Sequence, residues 1–315
     1  MSTLTVVQQL VASKRDLVAV THAEKIVDVL HALNSAQLTC VAVYGAPHHW
    51  IGAGFVEMIA DGKQYIGLVS IVDILSYLSV SGDVATRLQH PIVSVVGSTS
   101  ESQTLFLEPT SRPIVNVMEQ FCKGVHYALA VDDAHSTHPP KMLTQTDLVA
   151  FLTAHHPSNS ILDSIWQSSA ITFATAHAEF VYLDDMVLHV LQTMANVRGY
   201  IRAVPVVARD TGLLVTTISA SDFRSLTVDT LNLAFHMTIG QFLFELNRGR
   251  LPEPCCIDET VSLRTAAQTM LDKKIHRIWV YSGEVISRAG HGSSNIGVLS
   301  LTDVIRALYR SGQQF

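Results

Sequence analysis

The stretch GVLSLTDVIRAL (297–308) decides the fold. It reads as an apolar strand ending in Ser300, a Ser-x-x-Asp step to Asp303, and an apolar helix. Three other stretches repeat it: GLVSIVDILSYL (67–78), KMLTQTDLVAFL (141–152) and VTTISASDFRSL (215–226). The four aspartates, Asp73, Asp147, Asp222 and Asp303, are spaced by 74, 75 and 81 residues. A device that recurs at near-constant spacing marks a repeated structural unit. The tetrapeptide alone is weak. It also occurs at Ser13/Asp16, Ser160/Asp163 and Thr269/Asp272, without a strand before it and a helix after it. Context and period carry the reading.

Upstream of each copy lies a second helix. Apolar residues fall at Ala23, Ile26, Val27, Leu30; at Ile114, Val117, Met118, Phe121; at Val187, Val190, Leu191, Met194; and at Leu263, Ala266, Ala267, Met270. This i, i+3, i+4, i+7 spacing draws one apolar stripe per helix. Ser111 with Pro113 is read as opening the second helix, and Thr260 the fourth. Each helix runs into a short apolar strand: CVAV (40–43), ALAV (128–131), AVPV (203–206) and RIWV (277–280). Turns follow at Gly62-Lys63, Pro139-Pro140, Asp210 to Gly212 and Gly290 to Ser294. The expected fold class is mixed α/β (α+β), with four strand-helix-strand-strand-helix repeats. A single unit leaves one sheet face bare, so units should pair. The expected domains are residues 1–156, with repeats at about 15–80 and 91–154, and residues 157–315, with repeats at about 161–228 and 236–311. HHPSNS (155–160) is the expected linker.

Bulk properties narrow the function. A chain of 315 residues, 48% hydrophobic and 15% charged, supports a large packed core. No run of about 18 apolar residues suggests a membrane span, and MSTLTVVQQL does not read as a secretory signal. A net charge of −6 without a basic run argues against nucleic acid as partner. Cys40, Cys122, Cys255 and Cys256 lack zinc-site or disulfide-framework spacing and fit reduced thiols inside a cell, in the cytoplasm and also the nucleus. The pairs His48-His49 and His155-His156 read as loop histidines, and no metal site is expected.

The pattern G-h-h-[ST]-x-[ST]-D-h-h (h apolar), following an h-x-h-V strand, resembles the cystathionine-β-synthase (CBS) domain. GVLSLTDVIRAL and HRIWV (276–280) carry that resemblance most closely. Four such repeats over about residues 15–311 resemble the gamma subunit of the AMP-activated, sucrose-nonfermenting-type protein kinase and its stand-alone plant and fungal relatives. The resemblance implies that repeats pair into Bateman modules and that AMP, ADP or ATP sits in clefts between them; an S-adenosyl compound is the lesser alternative. It implies kinase catalytic and scaffold subunits as partners, and homodimerisation through the modules.

Two readings of the aspartates stand side by side. In one, Ser/Thr-x-x-Asp is a capping box that closes the start of a helix and needs no ligand. In the other, the carboxylate also accepts hydrogen bonds from a ribose, and the helix N-terminus favours a phosphate. By resemblance Asp303, Asp222, Asp147 and Asp73 are the ribose candidates. The hydroxyl and phosphate candidates are Thr302 and Ser300, Ser221 and Ser219, and Thr146 and Thr144; repeat one has Val72 before its aspartate. The cations that the family places before the second strand survive as His276-Arg277 in repeat four, Arg202 in repeat three and His126 in repeat two. Repeat two has Tyr127 and repeat one Thr39-Cys40 where those cations would stand. A bidentate arginine–phosphate contact has no substitute in Tyr or Cys, so repeats three and four are expected to bind best. Trp279 is read as packing at an interface.

The expected function is a non-enzymatic adenine-nucleotide sensor that regulates a partner kinase. The alternative is a ligand-independent scaffold for a kinase or phosphatase. No catalytic residue is assigned. Cys122 and His126 lack an orienting third group, and a GxxxxGK[ST] loop is absent.

Overall fold

A computed structural model describes residues 6–45, 58–80, 83–99, 102–132, 138–155, 160–176, 178–196, 202–224, 226–281 and 296–312. Trp50, the His48-His49 pair, His156 and the turn Gly290 to Ser294 lie outside them.

A short helix α1 (Gln8–Val11) precedes repeat one. Repeat one is β1 (Ala19–Thr21), α2 (Ile26–Ala36), β2 (Cys40–Gly45), β3 (Met58–Ala60), β4 (Lys63–Ser70) and α3 (Ile71–Ser79), then α4 (Val84–Leu88). Repeat two is β5 (Leu107–Pro109), α5 (Ile114–Phe121), β6 (Tyr127–Val131), β7 (Lys141–Thr144) and α6 (Gln145–Ala154), followed by α7 (Ser160–Gln167). Repeat three is β8 (Val181–Tyr182), α8 (Val187–Asn196), β9 (Ala203–Val207) and β10 (Leu214–Ser219), with α9 (Val228–Ala234) and α10 (Ile239–Leu246) after it. Repeat four is β11 (Cys256–Ile257), α11 (Leu263–Asp272), β12 (Arg277–Tyr281), β13 (Ile296–Ser300) and α12 (Leu301–Gly312).

Each repeat builds one small sheet. Its middle strand runs parallel to the first strand and antiparallel to the strand before the aspartate. The middle strands are mostly apolar, apart from Arg277 at the start of β12, as strands with two covered faces are. In β2, Cys40 and Ala42 point to one cluster and Val41 and Val43 to another. In β6, Leu129 and Val131 oppose Ala128 and Ala130 in the same way.

These alternating faces join the repeats into a closed ring. The sheets of repeats one and two meet through Cys40, Ala42, Tyr65, Leu68, Leu129 and Val131. Those of repeats three and four meet through Val207, Trp279 and Ile296. The helical faces pair differently. Repeat one shares a core with repeat three, and repeat two with repeat four. The division into residues 1–156 and 157–315 remains a proposal, because sheet packing follows it and helix packing crosses it.

Two glycines of the repeated pattern are there for close approach. A Cβ on Gly67 would stand 2.8 Å from Val96 Cγ1, and one on Gly297 would stand 3.2 Å from the Thr175 carbonyl. The segments after two one-turn 3-10 helices (Ile92–Ser94 and Ala170–Phe173) press on the sheets there.

Several expectations need correction. The buried stripe of α2 is Ile26, Val29, Leu30 and Leu33, because the helix starts at Ile26 and Ala23 belongs to the preceding turn. Ser262, not Thr260, caps α11 by accepting the Thr265 N–H; Thr260 turns back to Asp258 instead. Pro113 itself is the N-cap position of α5, where Ser111 makes no side-chain cap. Among the described residues, no α-helix starts directly at Asp222 in repeat three. A single 3-10 turn, Ala220–Phe223, stands there, because Thr227 and Thr230 form a fresh capping box that starts α9. The stripes of α8 and α11 lie fully in the core as read. Trp279 is buried at the seam between repeats three and four, its Nε1 donating to Thr217 Oγ1 at 2.7 Å. No disulfide joins the four cysteines.

Candidate functional site: a cavity at the centre of the ring

The hub of the ring holds a cavity of about 170 Å³. All four repeats reach it: Thr39 and Cys40 from the first, His126, Tyr127 and Thr146 from the second, Arg202 from the third, His276 and Leu301 from the fourth. A wall from outside the repeats, Lys14 to Val18, completes it.

The four aspartates share one local geometry. In each, Oδ2 accepts the backbone N–H and the hydroxyl of the residue three positions earlier. The distances are 2.7 and 2.5 Å for Asp73 with Ser70, and 2.8 and 2.7 Å for Asp147 with Thr144. They are 2.6 and 3.0 Å for Asp222 with Ser219, and 2.9 and 2.6 Å for Asp303 with Ser300. The first backbone N–H groups of a helix have no partner within it, so a hydroxyl and a carboxylate at this spacing satisfy them. Thr144, Ser219 and Ser300 are therefore turned toward their own aspartates.

What differs is the rest of each carboxylate. Thr99 Oγ1 donates to Asp73 Oδ1, and the group is sealed at 1% exposure. Arg306, one turn along the same helix, donates to Asp303 Oδ1 at 2.7 Å. Lys14 donates to Asp147 Oδ2 at 2.7 Å. Among the described residues, Asp222 accepts only from Ser219. Burial pushes its carboxyl above the usual range, against the Ser219 hydrogen bonds and the Arg224 charge.

The cations converge as well. His276 lines the cavity and is exposed. Desolvation first, then the charges of Arg202, Arg277 and His126, hold its pKa down at about 4. Arg277 is lowered to about 10, by burial and then by Arg202, with Asp303 opposing. Lowering of this kind marks like charges gathered at one place. Arg277 Nη1 donates to the Ala203 carbonyl at 2.8 Å. Arg202 stacks over the Tyr127 ring at 4.5 Å and donates to its hydroxyl at 2.6 Å; that hydroxyl also meets Thr39 Oγ1 at 2.9 Å. Tyr127 thus orients an arginine from the repeat across the ring.

The remaining candidates are spread. Thr302 is engaged by Gln145 of repeat two at 2.9 Å, and Ser221 by Ser219 at 2.7 Å. Thr146 lines the cavity. Four residues here were missed in the sequence: Lys14, Arg15, Gln145 and Arg306. Only Arg306 carried a local signal, as an i, i+3 partner of Asp303. Cys122 turns its thiol to the Glu119 carbonyl at 3.2 Å, and α5 ends before His126. Among the described residues no cluster of three or more His, Cys, Asp or Glu is placed to hold a metal ion. No described helix is long and apolar enough to cross a membrane.

The ring of four sheet-and-helix repeats defines a class. Residues 250–310 match the CBS domain family, and the chain has the fold of a four-repeat CBS protein. It superposes with a TM-score of 0.68 on a protein from Methanocaldococcus jannaschii proposed as an archaeal homologue of g-AMPK, at 17% identity, covering 96% of this chain and 99% of that one. An uncharacterised conserved protein from Pyrococcus horikoshii superposes at 0.51, with 12% identity over 94% and 96% of the two chains. In sequence, the chain resembles the SNF1-related protein kinase regulatory subunit gamma-like protein PV42a of Arabidopsis thaliana. The two are 26% identical over 96% of this chain and 94% of that protein. Its companion PV42b is also 26% identical, over 97% and 94%.

Proposed function

We propose that this chain is a non-catalytic regulatory protein that binds an adenine nucleotide in its inter-repeat clefts and transmits occupancy to a partner kinase. One observation carries the reading. His126, Arg202 and His276 face a single cavity that the N-terminal residues of α6 and α12 also line, and His276 feels the charge of Arg277. Such a hub favours an anionic tail. AMP, ADP and ATP bring one, whereas the sulfonium of an S-adenosyl compound brings a charge that Arg202 and Arg277 repel. The relatives whose names describe kinase gamma-like subunits support a kinase as the partner. We place this role in the cytoplasm and nucleus.

Ligand shifts a two-state protein only as far as it binds one state better than the other. A ring whose four seams meet at the cavity offers such states, because a phosphate there pulls on residues of all four repeats. Thermal unfolding with AMP, ADP and ATP tests the reading. At 100 times its dissociation constant the ligand should add about 2.7 kcal/mol. No shift with any of the three would favour the scaffold alternative, which the sealed Asp73 already favours for repeat one.

A further inference from the structure

We infer that Lys14, on the segment before the first repeat, is a built-in competitor for the ligand of the repeat-two cleft and sets that cleft's affinity. The inference rests on the nucleotide reading above and goes beyond it by separating one cleft from the others. Among the described residues, Asp147 is the one candidate aspartate held by a cation from a distant part of the chain: Lys14 Nζ lies 2.7 Å from its Oδ2 across 133 residues of sequence. Asp303 is held from its own helix, and Asp73 by a hydroxyl.

The segment that carries Lys14 is docked, not loose. Val7, Leu10 and Val11 are buried among side chains of repeats two and four. The Val7 and Gln8 N–H groups donate to the Arg112 and Thr110 carbonyls at 2.9 Å each. Asp16 closes the other end on Lys141 at 2.7 Å. Lys14 is thereby delivered to the carboxylate a ribose would use. The space left agrees: about 170 Å³ is below the roughly 300–1,000 Å³ of ordinary small-molecule sites. An ammonium on a four-carbon stem can leave a carboxylate more easily than a packed side chain can, so the cleft is closed reversibly. A nucleotide must displace Lys14 before Asp147 can accept its hydroxyls.

The test is calorimetric titration with AMP of the full chain, of Lys14→Met, and of Lys14→Met with Asp147→Ala. Methionine keeps the length of the stem and removes the charge. Lys14→Met should gain at least tenfold in affinity at one site, or show one more site than the wild type. The added Asp147→Ala should erase that gain. If all three proteins bind AMP alike, or if Lys14→Met binds more weakly, Lys14 is not a competitor and the inference falls while the nucleotide reading stands. If none of them binds AMP, ADP or ATP, both fall together. Melting curves of the three proteins without ligand show that each is folded.

Discussion

Asp73 in repeat one and Asp303 in repeat four both accept the backbone N–H and hydroxyl of a serine three residues earlier. Their second oxygens part company. Asp73 takes a neutral hydroxyl from Thr99 inside a closed pocket, with Thr39-Cys40 where a basic pair would stand. Asp303 takes Arg306, whose side chain is one-third exposed, and has Arg277 close enough to feel its charge. The cap is common property of the fold. The company around it separates the two aspartates, and under the proposed function Asp303 is the one that meets a ligand.

The comparison breaks most visibly if Asp73 is replaced. Asp73→Ala strands the Ser70 N–H and the Thr99 hydroxyl in a dry site. Loss of the cap costs about 1 kcal/mol and each stranded donor about 1–3 kcal/mol. A destabilisation of about 3 kcal/mol is expected, read as a lower urea midpoint at unchanged slope, with nucleotide affinity unaltered. A fall in affinity would overturn the division between the two repeats.

Next in size is the opposite substitution. Asp303→Ala with Arg277→Ala should lower nucleotide affinity at least tenfold by calorimetry, equivalent to about 1.4 kcal/mol, while circular dichroism shows the fold intact. Unchanged affinity would remove repeat four from the site.

The smallest effect is a pH dependence. The His276 pKa of about 4 lies below the roughly 6.5 of an exposed histidine. The unfolded chain therefore binds more protons than the folded one between those values. His276's contribution to stability is complete above pH about 6.5 and is lost as the pH falls toward 4. A bound phosphate reverses the preference, raises the pKa and draws in a proton. In that window His276→Gln should lessen the acid loss of stability in urea titrations. It should also lower the proton uptake on binding, measured by calorimetry in buffers of different ionisation enthalpy. Equal uptake by both proteins would place the phosphate away from His276.

Much of this molecule was legible from its residues. The period of the aspartates gave the number of repeats, and the stripes Val187, Val190, Leu191, Met194 and Leu263, Ala266, Ala267, Met270 became the buried faces of α8 and α11. The stripe of α2 was misplaced because Ala23 continues the apolar spacing but not the backbone conformation. The helix after Asp222 was over-read because a second capping pair lies just beyond it. For the site, sequence exposed what is local: the caps, the His-Arg pair and its erosion. It concealed what arrives from elsewhere. Lys14 belongs to a stretch that looked like a stray copy of the motif. Thr99 sits between α4 and β5, where nothing marks it as the guard of Asp73. Arg202 before the middle strand was readable, but its stacking on Tyr127 needed the third dimension.

The alternation of seams around the ring has a topological consequence. An open array of repeats has two ends, and its terminal units must be dressed to face water. Here sheet joins sheet from one to two, helix joins helix from two to four, sheet again from four to three, and helix from three back to one. No repeat is first or last in space, whatever its place in the chain. Each has two unlike neighbours and one shared axle. A disturbance at one seam therefore travels both ways around and meets itself on the far side, so the four units behave as spokes of one wheel more than as beads on a string.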